Sequence, residues 1–176
     1  FTASELKQTP SLRPIRIRAG AMGRGRPLDD LIVSPQHRVL VNSKIVQKMF
    51  GEQEVLVAAK QLVSIDGIDV VNDSGDVTYY HFLCDQHEIV FANGVQTESL
   101  YTGPQALKSV SEEAREEVLM MFPELANVDY KALHARAAVL GRHARNMALR
   151  HKRNAKPLLA HCVDMPFGSA TLPRRE

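Results

Sequence analysis

Two short stretches of this chain hold residue types that could do chemistry. Ser34 and His37 frame the tetrapeptide Ser34-Pro35-Gln36-His37, which lies between two apolar runs. A hydroxyl and an imidazole at this spacing converge on one point when a turn places them there, and imidazole is the natural general acid or base near neutral pH. Ser-Pro is also a common turn former, so an exposed polar corner is the plainer reading of the same residues. Further along, His81, Cys84 and His87 give the spacing H-x2-C-x2-H. Zinc takes His nitrogen and thiolate, but a zinc centre needs further ligands at good spacing and the sequence supplies none. Alternation along a strand separates neighbours onto opposite faces, and Asp85-Gln86 reads as a turn between the two histidines. Without a metal, His81 is a polar filler between Tyr80 and Phe82, and His87 a polar group at a strand end.

The elements that must hold these groups are mostly strands. Arg and Ile alternate from Arg13 to Arg18, which predicts a half-buried strand with Ile15 and Ile17 on one face. Residues 19–30 are rich in Gly and Asp and read as a loop. Residues 31–41, LIVSPQHRVLV, are two short strands split by the polar corner, where Pro35 cannot donate a ladder hydrogen bond. Asn42 or Ser43 can cap a short helix carrying Ile45, Val46 and Met49 inward. Strands are expected over 55–59, 68–71, 77–84, 87–92 and 95–101, with one helical turn over 59–63. Asn93-Gly94 is the strongest hairpin signal among them, because both central residues of the tight turn need positive φ.

After Gly103-Pro104 the character changes. Residues 111–122, SEEAREEVLMMF, have a Ser N-cap and acidic residues in the first turn, which suits a helix. Residues 133–153 read as a second helix, with Leu133, Ala137, Leu140, Ala144 and Met147 on one stripe. Residues 1–9 are polar and carry no period.

Composition bounds the function. The chain has 176 residues, of which 44% are hydrophobic and 24% charged. That is ordinary globular usage. No apolar run reaches the length of about 18 residues that a membrane-spanning helix needs. Lys+Arg number 22 against Asp+Glu 20, a formal charge of +2, which argues against a globally basic nucleic-acid binder. Cys84 and Cys162 cannot make a disulfide framework. Between 131 and 156 lie Lys131, Arg136, Arg142, Arg145, Arg150, Lys152, Arg153 and Lys156, with His143 and His151 and no acidic residue. Such a stripe can bind nucleic acid or an anionic membrane surface, or it can be a solvated face. The small net charge and the lack of interleaved aromatics favour the solvated face over nucleic acid. The chain begins at Phe1 rather than Met and shows no signal-peptide pattern, so no compartment is read from it.

The string SPQHRVLV, followed by YYHFLCDQHEIVFANGVQTESLYTGP, closely resembles the Hint (Hedgehog/intein) domain family. The segments RPIRIRAG and EVLVAAKQL are similar to a bacterial branch with a helical extension. The resemblance implies a mainly β, horseshoe-shaped fold of short antiparallel strands over 1–103 followed by a helical extension over 104–157, and the Pro and Gly-type breakers of 158–176 read as a flexible tail. It also implies single-turnover autoprocessing. In the family a Cys, Ser or Thr attacks the preceding carbonyl, and a peptide bond becomes a thioester or ester that is then cleaved. His37 corresponds to the histidine that protonates the leaving nitrogen, and Ser34 to the hydroxyl that orients the same bond. His81 falls where inteins commonly carry an Asp, and His87 corresponds to the histidine that assists a later step.

Two departures qualify the match. The nucleophile block is expected upstream of Phe1, so the chain by itself is expected to be inactive. Glu98-Ser99 also stands where a splicing intein has His-Asn, and neither residue can cyclise to release a C-terminal flank. The resemblance implies no cofactor and no metal, the chain's own polypeptide as partner, a monomer, and a secreted or cell-surface setting. The rival reading keeps the fold as a structural or binding module without chemistry.

Overall fold

Arg and Ile alternate through 13–18, and in the computed structural model this alternation becomes strand β1 (Ile15–Ile17). The structure describes residues 1–73, 75–80, 82–100, 112–127 and 133–161. Ile15 and Ile17 are buried, while Arg16 between them turns to the other face and pairs with Asp69 at 2.7 Å. The guanidinium of Arg16, hydrogen-bonded to Asp69, holds that carboxyl below its usual range, with Arg18 adding to the effect. β1 is the central strand of a small antiparallel sheet, flanked by β2 (Leu31–Val33) and β5 (Ile68–Val70).

A second sheet collects the valine-rich runs. Its strands are β3 (Arg38–Asn42), β4 (Glu54–Ala58), β6 (Ile89–Ala92), β7 (Val95–Glu98) and β8 (Ala138–Val139), in the order β6-β7-β3-β4-β8. β3 pairs along its whole length with β4, setting Val39 against Val57 and Val41 against Val55. On its other side β3 meets β7, with Val39 opposite Thr97. These four valines, with Ile15, Ile17, Leu62 and Val95, form one core shared by both sheets. Burial of each such side chain contributes about 1.5–3 kcal/mol. β6 and β7 are joined by Asn93-Gly94, whose φ values of 48° and 77° are those of the tight hairpin turn.

Helix α1 (Ala3–Gln8) occupies the stretch in which the sequence showed no period. It is held by a capping box between Thr2 and Glu5, a local signal that hydrophobic periodicity does not detect. Helix α2 (Lys44–Phe50) is capped by Ser43, whose hydroxyl oxygen accepts the Val46 N–H, and it ends at Gly51 with φ 75°.

The expected strand over 77–84 is absent among its described residues. β-branched and aromatic content favours a strand only where a neighbouring edge offers a ladder. Among the described residues, Val77 exchanges main-chain hydrogen bonds with Phe1, Phe82 O accepts one from the Leu100 N–H at 2.7 Å, and the Tyr79 hydroxyl donates to the Leu12 carbonyl. Tyr80 and Phe82 are exposed.

The mainly β fold with a helical C-terminal part is borne out. Helix α3 (Glu112–Met121) stops before Pro123, and helix α4 spans Gly141–Arg153. The helix expected over 133–153 is shorter because Ala138–Val139 adds to the edge of β4 as β8, in parallel. None of the described helices is long and apolar enough to cross a membrane.

The C-terminal part is built into the core rather than appended to it. Ala144, Met147 and Ala148 of α4 are fully buried against the β core. Leu158 and Leu159, at the head of the stretch read as a loose tail, are also buried there. The strap 158–161 runs along Asn42. Asn42 N–H donates to Leu158 O at 3.1 Å, its side-chain amide donates to His161 O at 3.0 Å, and its Oδ1 accepts from Ala160 N at 2.9 Å. On the other side Leu159 N–H donates to Met22 O at 2.9 Å. A side chain at Gly23, whose φ is 95°, would put its Cβ 2.3 Å from that of Pro157, so only glycine lets the strap close over this loop.

His151 locks the start of the strap. It is 1% exposed; its Nε2 lies 3.1 Å from the Ser43 hydroxyl and its Nδ1 3.1 Å from the Lys156 carbonyl. A carbonyl only accepts, so Nδ1 carries the proton and Nε2 takes the Ser43 hydroxyl hydrogen. Burial pushes the imidazole below its ordinary value of 6.5, against a smaller opposing effect of the Lys156 and Pro157 carbonyls. Below that value the unfolded chain takes up a proton that the folded ring resists. Stability is therefore full above about pH 6.5 and declines as the pH falls toward the folded-state pKa. The denaturant midpoint should drop between about pH 7.5 and about pH 5, and His151→Gln should flatten that drop. An equal drop in the variant would remove the assignment to His151.

Candidate functional site

The corner between β2 and β3 carries Ser34 and His37, and it is the point where the chain leaves one sheet and enters the other. Three main-chain hydrogen bonds fix it. His37 N–H donates to Ser34 O at 3.1 Å, Ala59 N–H donates to His37 O at 2.9 Å, and Lys60 N–H donates to Pro35 O at 3.1 Å. Both Ala59 and Lys60 belong to the single helical turn that follows β4. Pro35 is buried, whereas Ser34 and His37 are half-buried. The hydroxyl and the imidazole thus stand on a rigid turn with partial access to solvent, as general acid–base chemistry requires.

The next residue, Arg38, connects this corner to a buried carboxylate. Glu98 at the end of β7 is 8% exposed. Its Oε1 accepts the Arg38 main-chain N–H at 3.0 Å, and its Oε2 accepts Arg38 Nη1 at 2.8 Å. Oε2 also lies 3.1 Å from His87 Nε2. Strand alternation explains the meeting. Arg38 and Glu98 flank the opposed pair Val39 and Thr97, so both fall on the face of the sheet away from those residues. Ile89 sits opposite Glu98, which brings His87, two residues earlier, to the same end of that face.

His87 has both ring nitrogens engaged. Its Nδ1 accepts the Ala135 N–H at 3.0 Å. The proton is therefore on Nε2 and points at the Glu98 carboxylate. The His87 side chain is 0% exposed. The neighbouring strand end is tied in as well, since Glu88 N–H donates to the Ser99 hydroxyl at 2.9 Å and Ser99 N–H returns to Glu88 O at 2.9 Å. His134 meets His87 edge to face, with ring centroids 5.6 Å apart. Partial burial lowers the His134 pKa first, and the Arg38 charge lowers it further, while Glu98 opposes both.

Of the sequence-derived candidates, Ser34 and His37 share one turn, and His87 reaches that turn through Glu98 and Arg38. His81 lies outside the described residues. Cys84 is an unbridged, half-buried thiol. Among the described residues no three of His, Cys, Asp and Glu gather as metal ligands. Sequence reasoning missed Arg38, Glu98 and His134 as members of one network. The usable signal was Glu98 itself, a carboxylate closing the strand Val95-Gln96-Thr97-Glu98, where burial demands a cationic partner. Nothing in the order of residues marked His134 as the neighbour of His87.

A family profile described as the Hint domain matches residues 1–104. The chain belongs to the Hint domain family. No curated protein and no solved structure matches it. The matched span ends just beyond the Glu98-Ser99 pair, so β1 to β7 and the whole Arg38–Glu98–His87 network belong to the Hint domain. The residues that clamp His87 from the other side, His134 and Ala135, come from beyond it.

In this Hint domain Glu98→Gln keeps the shape of the side chain and removes the charge that pairs with Arg38. Breaking a buried pair on one side costs about 3–5 kcal/mol, and the partial exposure of Arg38 brings the expected loss to roughly 2–3 kcal/mol. Chemical denaturation of the two proteins measures it. A change below about 0.5 kcal/mol, the size of an ordinary surface substitution, would show that the network does not hold the domain together.

Proposed function

We propose that this Hint domain processes its own polypeptide by rearranging one peptide bond, with His37 as the general acid. A hydroxyl or thiol of the family's opening block gives its proton to a base, for which His81 is the candidate, and attacks the scissile carbonyl carbon; no residue of this chain is assigned as that nucleophile. The carbon–nitrogen bond breaks and the acyl group moves to oxygen or sulfur. The departing nitrogen takes a proton from the His37 imidazolium, while Ser34 orients the same bond. The ester or thioester is then cleaved by water or another nucleophile.

The observation that carries this reading is the corner itself. It presents a half-buried imidazole on a turn fixed by three main-chain hydrogen bonds, one residue from an arginine anchored on a buried carboxylate. Ser99 stands where the cyclising Asn would be needed, and Glu98 beside it is held by Arg38 and His87, so the reaction ends at N-terminal cleavage or acyl transfer, without splicing. His81 is a further candidate for proton exchange with the nucleophile, and His87 for a later step.

One observation favours a second reading, a Hint fold kept as a structural or binding module. His87 has both ring nitrogens committed to Glu98 and Ala135, which is the arrangement of a structural histidine. The two readings part on His37. In a polypeptide that carries the family's opening block ahead of this domain, His37→Ala should slow the appearance of fragments by about 100-fold or more, the usual contribution of general acid–base catalysis. The melting midpoint should hardly move, because loss of a half-buried polar side chain opens no apolar cavity. Cleavage of the variant at the parent rate, or no cleavage of the parent under any nucleophile tried, would favour the module.

A further inference from the structure

Away from the corner, the end of α2, β8 and one side of α4 border an open groove of about 580 Å³. Its lining is apolar at Met49, Phe50 and Leu140 and basic at Lys48, His143 and Arg150. No acidic residue lines it. Three other basic groups of this region have side-chain partners. Arg136 pairs with Glu54, Lys152 pairs with Asp66 at 2.8 Å, and Arg145 donates to Gln61 at 3.1 Å. Among the described residues, Lys48, His143 and Arg150 have no carboxylate within ion-pair distance. Along α4 a carboxylate thus neutralises Lys152, and Arg150 and His143 bring uncompensated basic groups to the border of the groove.

We propose that this groove binds a soluble organic anion with an apolar body, a carboxylate carried on an acyl or aryl group. The apolar part covers Met49, Phe50 and Leu140, of which Leu140 is 62% exposed. The carboxylate lies between Lys48 and Arg150. The volume falls within the usual range of small-molecule sites, about 300–1,000 Å³. Two cations flanking an apolar floor recognise charge and body together, so neither part of the ligand alone is held as well. The site is independent of peptide-bond rearrangement and shares no residue with it.

The probe is decanoate, titrated calorimetrically into the chain, with decanol and inorganic phosphate as separate arms. Decanoate should saturate a single site and bind at least about tenfold more tightly than either control, the worth of one charge-assisted hydrogen bond. Lys48→Gln and Arg150→Gln should each weaken it about tenfold, whereas Lys152→Gln, whose cation already serves Asp66, should leave it unchanged. Leu140→Asp gives a second test. Leu140 is the N-cap residue of α4 and provides no side-chain cap, so an Asp there should raise the melting midpoint while its charge in the groove abolishes binding. Decanol binding as tightly as decanoate, equal losses in Lys152→Gln and Arg150→Gln, or retention only on anionic phospholipid vesicles would overturn the proposal.

Discussion

A carboxylate at the end of a core strand must find cations and donors, because an unpaired charge in that position costs several kcal/mol. Glu98 meets this requirement through three donors: the Arg38 main chain, the Arg38 guanidinium and His87 Nε2. The arrangement joins parts of the chain that are remote in sequence. Through Arg38 it fixes the first residue of β3, and with it the turn carrying Ser34 and His37. Through His87 it fixes the entry to β6. The other ring nitrogen of His87 then holds Ala135, from which the chain proceeds directly into β8 on the edge of β4. One charge thus sets the relative positions of the candidate site and the C-terminal part.

The C-terminal part completes the same core by a different route. Residues 158–161 bridge the loop at Met22 and the end of β3 at Asn42, and His151 ties α4 to the cap of α2. Two buried histidines, His87 and His151, therefore serve as neutral connectors whose tautomers are opposite. His87 carries its proton on Nε2 because it faces a carboxylate, and His151 carries its proton on Nδ1 because it faces a carbonyl. The half-buried histidine, His37, stands at the corner where reaction chemistry is proposed. Burial thus separates the two architectural histidines from the half-buried one.

Much of this architecture was legible in the residues. Period-two alternation located Ile15 and Ile17, the Asn93-Gly94 pair located its hairpin, and Ser43 was among the predicted caps. These signals are local and are read within a few residues. The expected strand at 77–84 failed because a strand also needs a partner edge, which its own composition cannot reveal. The extra length predicted for the last helix failed for the complementary reason, since the open edge of β4 took Ala138 and Val139 into the sheet. At the candidate site, Ser34 and His37 were legible from type and spacing. The link from Arg38 through Glu98 to His87 spans more than one strand pairing and emerges only once register is known.

The proton position on His87 tests this account most directly. Long-range proton–nitrogen correlation spectra at neutral pH distinguish protonated from unprotonated ring nitrogens. The account predicts one neutral tautomer, with the hydrogen on Nε2 facing Glu98 and a bare Nδ1 accepting the Ala135 N–H. A hydrogen on Nδ1, or an averaged pair of signals from exchanging tautomers, would mean that the Glu98 carboxylate does not hold His87 and that the network does not organise the domain.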